Sequence, residues 1–183
     1  AIIWRNKIAA STANIAQGVM VDEVQVFEIQ LTAPELDQTV LRLIDRGIPY
    51  RILFILTCEG QAQAWIGYKE VSSFNGTSRV TAYYHTDWMP EEQLSLKMEG
   101  GSTDAVYEGF VRQIAGDALQ SFSVNGTMSL GEAVANARRR EKLQKQIDAL
   151  QKKVDREKQF NRRVVMNEQL KQLIRERDIH EKA

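Results

Sequence analysis

Apolar positions change their period along this chain, and each change marks an element. The stretch Tyr50-Arg51-Ile52-Leu53-Phe54-Ile55-Leu56 holds five consecutive apolar residues after an arginine. It lies between Gly47 and Pro49 on one side and Glu59-Gly60 on the other. A run this short and apolar on both faces predicts a strand in the middle of a sheet. Before it, Val21 to Leu31 alternates. Phe27, Ile29 and Leu31 share one face with Glu23 and Gln25; Val24 and Val26 share the other with Asp22, Glu28 and Gln30. A period of two predicts a second strand. Between them Leu36, Val40, Leu43 and Ile44 recur at helical spacing, as the buried stripe of a helix. Thr32 and Glu35 have capping-box spacing at its start, with Pro34 tolerated in the first turn. Gly47 suits the C-terminal cap and Pro49 stops the helix. Strand, helix and strand at this distance predict a right-handed parallel crossover.

The remaining elements follow from shorter signals. Ile2 to Ile8 is an apolar-rich run read as a strand, and Ser11 to Gly18 is a small-residue connection. Glu59-Gly60 turns the chain, and Ala62 to Tyr68 returns as an antiparallel partner. Asn75-Gly76 marks a hairpin, and Arg79 to His85, rich in Val, Thr and Tyr, is a further strand. Pro90 interrupts the chain, after which Leu94, Leu96 and Met98 alternate as a short edge strand. Beyond Gly100-Gly101, Ser102 or Thr103 caps a second helix that buries Val106, Phe110, Val111 and Ile114 and ends at Gly116.

Ser129 and Glu132 repeat the capping-box spacing, and from Glu132 to Ala183 there is neither Gly nor Pro. Leu143, Ile147, Leu150 and Val154 step by four, three and four residues, a heptad seam. The next position in register is Glu157, and apolar steps resume at Phe160, Val164, Leu170, Leu173 and Ile174. Two readings stay open: a stutter within one helix of about 50 residues, ~75 Å long, or the bend of an antiparallel hairpin. The expected fold class is α/β: a mixed sheet with a β-α-β crossover and antiparallel hairpins. Residues 1–128 form this head, and residues 129–183 form a long helical or coiled-coil tail.

The formal net charge of +0 hides an asymmetry. Residues 131–183 hold 15 Lys/Arg against 9 Asp/Glu, a net +6, and residues 1–130 hold the reverse, a net −6. Such a split points to different partners for the two halves. The single cysteine, Cys58, ends the buried strand and reads as an inert core thiol. No disulfide framework, signal-peptide pattern or apolar stretch near ~20 residues is present, so a cytoplasmic protein without membrane contact is expected. The sequon-like Asn75-Gly76-Thr77 and Asn125-Gly126-Thr127 read as turns.

Candidate chemistry is sparse. Glu28 and Gln30 lie two residues apart at the end of a strand, followed by a helix and another strand. Nucleases of the PD-(D/E)xK type place a carboxylate and a Lys or Gln that way, facing a divalent metal and the attacking water. That chemistry needs Mg²⁺ and a second acidic ligand. The N-terminal strand offers only Asn6 and Asn14, and Asp22 is ~20 Å along the same face at ~3.3 Å per residue. A solvated strand end is the plainer reading. His85, His180 and Cys58 do not form a metal-ligand spacing, so no resident metal or other cofactor is expected. No nucleophile elbow, phosphate-binding loop or dinucleotide fingerprint occurs. Arg138, Arg139, Arg140, Lys142 and Lys145 make the first turns of the tail basic, and Lys152, Lys153, Arg156, Lys158, Arg162 and Arg163 continue the stripe. It could follow a phosphate backbone, as in DNA binding, or be the solvated exterior of a coiled coil. Leu143, Ile147, Leu150 and Val154 are the candidate surface for self-association or a partner.

Several separated blocks carry a family resemblance. They are Glu23-Val24-Gln25-Val26-Phe27-Glu28-Ile29, Ile48-Pro49-Tyr50-Arg51-Ile52-Leu53-Phe54-Ile55-Leu56, Trp65-Ile66-Gly67-Tyr68-Lys69, Asp104-Ala105-Val106-Tyr107-Glu108-Gly109-Phe110-Val111 with Gln113-Ile114-Ala115-Gly116, and Glu157-Lys158-Gln159-Phe160-Asn161-Arg162-Arg163-Val164. Together they resemble the bacterial family catalogued as domain of unknown function forty-three ninety-one. The resemblance implies a further segment upstream of Ala1. It also implies a setting beside DNA methyltransferase and helicase genes of restriction-modification or phage-defence type, but no reaction. The expected function is a non-catalytic accessory or interaction subunit that assembles through its C-terminal helix, with itself or with a helicase or methyltransferase subunit. The alternative is a metal-dependent nuclease subunit with a reduced site at Glu28 and Gln30.

Overall fold

A computed structural model of the chain describes residues 1–71, 78–120 and 128–182, with backbone alone at positions 4, 71, 120 and 180–182. In order the elements are β1 (Ile2–Ala9), α1 (Ala10–Ala13), β2 (Glu23–Gln30), α2 (Gln38–Gly47), β3 (Arg51–Cys58), β4 (Gln61–Val71), β5 (Ser78–His85), β6 (Met89–Pro90), a 3₁₀ turn (Glu91–Gln93), α3 (Thr103–Ala115), α4 (Asp117–Gln120), α5 (Leu130–Arg156) and α6 (Phe160–Lys182). They fall into two compact units, Ala1–Gly116 and Asp117–Ala183.

The first unit is built on a six-stranded sheet in the order β1-β2-β3-β4-β5, with β6 also paired to β4. β2 and β3 are parallel, joined through α2, and every other pair is antiparallel. This is the mixed α/β sheet with a β-α-β crossover. β3 is central, and all of its residues are buried except the half-buried Ile55. Ile52, Phe54 and Leu56 join Phe27, Ile29 and Leu41 of α2 in one core. The positions of opposite parity, Val24, Leu53 and Ile66, are buried as well, and α3 packs across β2, β4 and β5. The β3–β4 turn has Glu59 at φ 50° and Gly60 at φ 75°, the paired positive φ of a two-residue hairpin.

Four local expectations are corrected. The helix α2 starts at Gln38, capped by Asp37, whose side chain accepts from Thr39 N at 2.8 Å. Thr32 and Glu35 do not cap it, because the 31–36 segment instead carries Leu31 and Leu36 onto the core edge. The later start also rotates the buried stripe. Leu41 and Asp45 are buried and Ile44 is half-buried, while Val40 and Leu43 are exposed. Gly47 lies inside α2, and Ile48 is the extended C-cap. No strand forms at Leu94, Leu96 and Met98. There the side-chain amide of Gln113 takes the place of a neighbouring strand, accepting from Lys97 N and donating to Lys97 O, both at 2.8 Å. At α3, Ser102 is the cap, Val106, Phe110, Val111 and Ile114 are buried, and Gly116 closes the helix. Asn75-Gly76-Thr77 and Asn125-Gly126-Thr127 lie outside the described residues.

In the second unit the Ser129–Glu132 capping box starts α5. The chain then turns at Glu157–Gln159, and α6 packs back along α5. Of the two readings of the tail, the hairpin is the one that forms. Arg139 Nη2 reaches Glu176 Oε1 at 3.4 Å, and Arg177 Nη1 donates to Gln144 Oε1 at 3.0 Å, between the two arms. Leu143, Ile147 and Val154 are buried and Leu150 half-buried; on α6, Leu170 is buried and Leu173 and Ile174 are half-buried. Phe160 and Val164 are exposed and do not extend the seam. A helix restarted after a turn has its own phase, so the spacing across residues 154–164 carries no common face.

Candidate functional site

At the end of β2, Glu28 is half-buried and Gln30 exposed. Across the ladder Glu28 stands opposite Trp4 on β1 and Ile55 on β3, and Gln30 opposite Thr57. These neighbours supply no second carboxylate. Asp22 is exposed and held by Gln17, whose Nε2 donates to its Oδ1 at 3.1 Å. Among the described residues, no group of three or more His, Cys, Asp or Glu is placed to hold a metal ion. The His85 ring stacks on Trp65 with centroids 4.3 Å apart, and Cys58 is buried. The side chain of His180 lies outside the described residues.

A cluster of buried ionisable groups lies elsewhere, under the C-terminal end of α2. Lys69 and Asp45 are both buried, with Nζ to Oδ1 at 3.0 Å. Lys69 Nζ also donates to the carbonyls of Asp45 (3.3 Å), Ile48 (3.1 Å) and Tyr50 (2.5 Å). A strand lysine thus caps the last carbonyls of a helix on the neighbouring layer, where a cation is favoured. Tyr83 donates its hydroxyl to Asp45 Oδ2. Asp45 Oδ1 takes no hydrogen bond, so the ion pair alone compensates it. Gly67 makes room for this cluster: a Cβ there would meet Asp45 Oδ2, Tyr83 Cε1 and Val80 Cγ1, each at 3.1 Å. Burial pushes the Asp45 carboxyl up, and Lys69 opposes it. Burial pulls the Lys69 ammonium down, and Asp45 opposes it. Burial, then the Asp45 contact, pushes Tyr83 up.

A second tie meets the first from α3. The β3–β4 pairing runs only to Leu53–Ile66. Beyond it the Tyr107 hydroxyl donates to Gly67 O at 2.7 Å and accepts from Lys69 N at 3.2 Å. The Arg51 guanidinium lies 5.6 Å from the centre of the Tyr107 ring. One turn earlier in the same helix, Asp104 takes the backbone N–H groups of Val19 (2.7 Å), Met20 (3.1 Å) and Val21 (2.7 Å), while Thr103 Oγ1 accepts from Gly18 N at 2.7 Å. A Cβ at Gly18 would come within 2.5 Å of Asp104 Oδ1, so this cradle closes only around glycine. Three donors on one carboxylate make an anion-binding nest that the chain fills for itself.

Sequence reasoning missed Asp45, Lys69 and Asp104 as functional groups. One of them had a local signal: Lys69 continues the Trp65, Gly67 alternation. Asp45 had none, because the stripe legible in the sequence turned another face inward. A polar residue on an inward-facing period requires a partner.

On the tail, the five cations nearest its start are largely engaged. Arg139 pairs with Glu176, and Lys145 pairs with Glu141 at 2.5 Å. Arg138 and Arg140 have partners of their own, and Lys142 is exposed. Near the turn the balance reverses. Lys152, Lys153, Arg156, Lys158, Arg162 and Arg163 are all exposed, and none is in an ion pair among the described residues. The two acids there accept hydrogen bonds locally, Asp155 from Gln151 and Glu157 from Gln159 N, each at 2.8 Å. The first turn of α6 holds no acid but contains Arg162 and Arg163, against the preference of a helix start. Phe160, Val164 and Val165 are exposed beside these cations in the sequence.

The fold and these surroundings define a class: an α/β domain on a mixed sheet, followed by a helical hairpin, with its buried ionisable groups engaged in holding elements together. The chain belongs to the family described as Domain of unknown function (DUF4391), whose model matches residues 1–176. No curated protein and no solved structure matches it. No helix among the described residues is long and apolar enough to cross a membrane.

Proposed function

We propose that this chain is a non-catalytic accessory subunit of a bacterial, cytoplasmic DNA restriction-modification or helicase-type defence assembly, and that it works by binding through its C-terminal hairpin. The observation that carries the binding role is the hairpin itself. It closes its own apolar seam, yet at the turn it keeps six exposed cations and three exposed apolar side chains. The defence setting is the one the family resemblance implies. The nuclease reading has less support, because the ladder neighbours of Glu28 are Trp4 and Ile55.

The test is recovery of the full-length protein from a native bacterium, in extracts treated with nuclease so that nucleic acid cannot bridge. The expected result is a helicase or methyltransferase subunit in stoichiometric yield. Recovery of the protein alone would overturn the accessory reading. Mg²⁺-dependent cleavage by the purified protein, abolished by Glu28→Gln with an unchanged melt, would replace it with the nuclease reading.

A further inference from the structure

We infer that the turn of the α5–α6 hairpin is a binding site for single-stranded nucleic acid, with Phe160 as a stacking platform and the surrounding cations on the phosphates. This deepens the accessory-subunit reading by naming one ligand of the hairpin, and it moves the nucleic-acid contact away from Arg138–Lys145. The earlier stretch is internally compensated: Arg139 and Lys145 sit in ion pairs with Glu176 and Glu141. The turn is not. Six exposed cations fall within residues 152–163, against Asp155 and Glu157. Lys152 and Arg156 are one helical turn apart, about 6 Å, on the C-terminal end of α5. Lys158, Arg162 and Arg163 flank the start of α6, so the cations lie on both sides of the bend.

The charge alone selects an anion; the other side chains select which one. Phe160 is 68% exposed, at the first residue of α6. A bare aromatic ring flanked in sequence by Lys158 and Arg162 is what unpaired bases stack on while their phosphates are neutralised. An acidic protein partner fits less well, because lysine is depleted in protein interfaces and three of the six cations are lysines. An anionic membrane fits less well too. The apolar group is confined to Phe160, Val164 and Val165, and Glu168 follows within a turn. An in-plane membrane helix needs an apolar face along its length. Duplex would leave Phe160 without a base face to stack on.

The experiment is fluorescence anisotropy of a labelled oligothymidylate about twenty nucleotides long with the full chain, at several salt concentrations. Binding is expected to weaken steeply with salt, with a log–log slope near −4 if all six cations meet phosphates at ~0.7 per contact. Phe160→Ala is expected to lower affinity about 5- to 150-fold, the range for one stacked base. Arg162→Glu with Arg163→Glu is expected to lower it more than about tenfold, while Lys171→Gln on the same helix leaves it within about twofold. An acid in the first turn favours the helix, so loss of binding in the double variant does not come from melting, and circular dichroism checks this.

Four results would overturn the site. One is equal affinity for duplex and single strand with no effect of Phe160→Ala. Another is binding to phosphatidylserine-containing vesicles but not to the oligonucleotide. A third is loss of binding only when Arg138–Arg140 are changed. The last is no oligonucleotide binding at all. None of these touches the accessory-subunit reading, which stands or falls on the partner recovered from nuclease-treated extracts.

Discussion

Lys69 under the end of α2 and the cations at the α5–α6 turn carry the same charge into opposite surroundings. Lys69 is buried, and four oxygens face its ammonium: one carboxylate oxygen and three carbonyls. The six cations at the turn are exposed and have no ion-pair partner among the described residues. A buried charge is tolerated only when its surroundings replace water, so Lys69 holds the structure together and is closed to other ligands. An exposed charge loses little by standing alone, and it stays available for an outside anion. The contrast separates charges that hold the fold from charges that can recognise something.

Breaking the buried side of the comparison has the largest expected effect. Lys69→Met leaves Asp45 without its cation and three carbonyls without a donor, and should lower stability by about 3–5 kcal/mol in a denaturant melt. Asp45→Leu combined with Lys69→Met should recover part of that loss, because removing both charges removes the desolvation penalty, while the three carbonyls and the Tyr83 hydroxyl stay without their partners. The single variant should also be pH-dependent. Burial already holds Asp45 above its ordinary value of 3.8. A carboxyl whose folded pKa lies above its unfolded one contributes stability below the unfolded value and loses it as pH rises through the folded value. The deficit of Lys69→Met should therefore shrink toward pH 4 and be full near neutrality; a pH-independent deficit would remove Asp45 from the account.

The hairpin seam is the next break. Leu143→Asp places a charge on a buried position between the arms and should destabilise the second unit by about 3 kcal/mol, read as lost helical dichroism. If helicity holds and only an oligomer dissociates, the seam faces another copy. Tyr107→Phe removes one hydroxyl that serves two backbone groups past the end of the β3–β4 ladder. A loss of about 1–3 kcal/mol is expected, the penalty of buried unsatisfied groups. The smallest effect has the opposite sign. Arg162→Glu should raise the stability of α6 by about 0.3–1 kcal/mol at low salt, since an acid suits a helix start. A destabilising result would mean that Arg162 has a structural partner and is not a free cation.

Much of the fold was legible because its signals are local. The five-residue apolar run became the central strand, the alternation from Val21 became β2, and the Ser129–Glu132 spacing became a formed capping box. Ser102, the α3 core positions and Gly116 fell where their residue types place them. Each of these depends on a period or a cap that neighbours in sequence determine. The candidate site was less legible. Glu28 and Gln30 matched a spacing, but a site needs groups from separate strands, and the register set Trp4 and Ile55 beside Glu28.

Tertiary structure alone decided four things. It chose Asp37 over Thr32 as the cap of α2, because Leu31 and Leu36 had first to reach the core. It paired Asp45 with Lys69, 24 residues apart, by laying a helix end over a strand. It let the nest of residues 19–21 close on Asp104 from α3, more than 80 residues away in the chain. It also folded the tail back on itself, pairing Arg139 with Glu176 across the two arms while leaving the turn uncompensated. The physical reason is common to all four. Periodicity and propensity act over a few residues, whereas the partner of a charge or a seam is set by which distant surface the packed layers bring within a few ångströms of it.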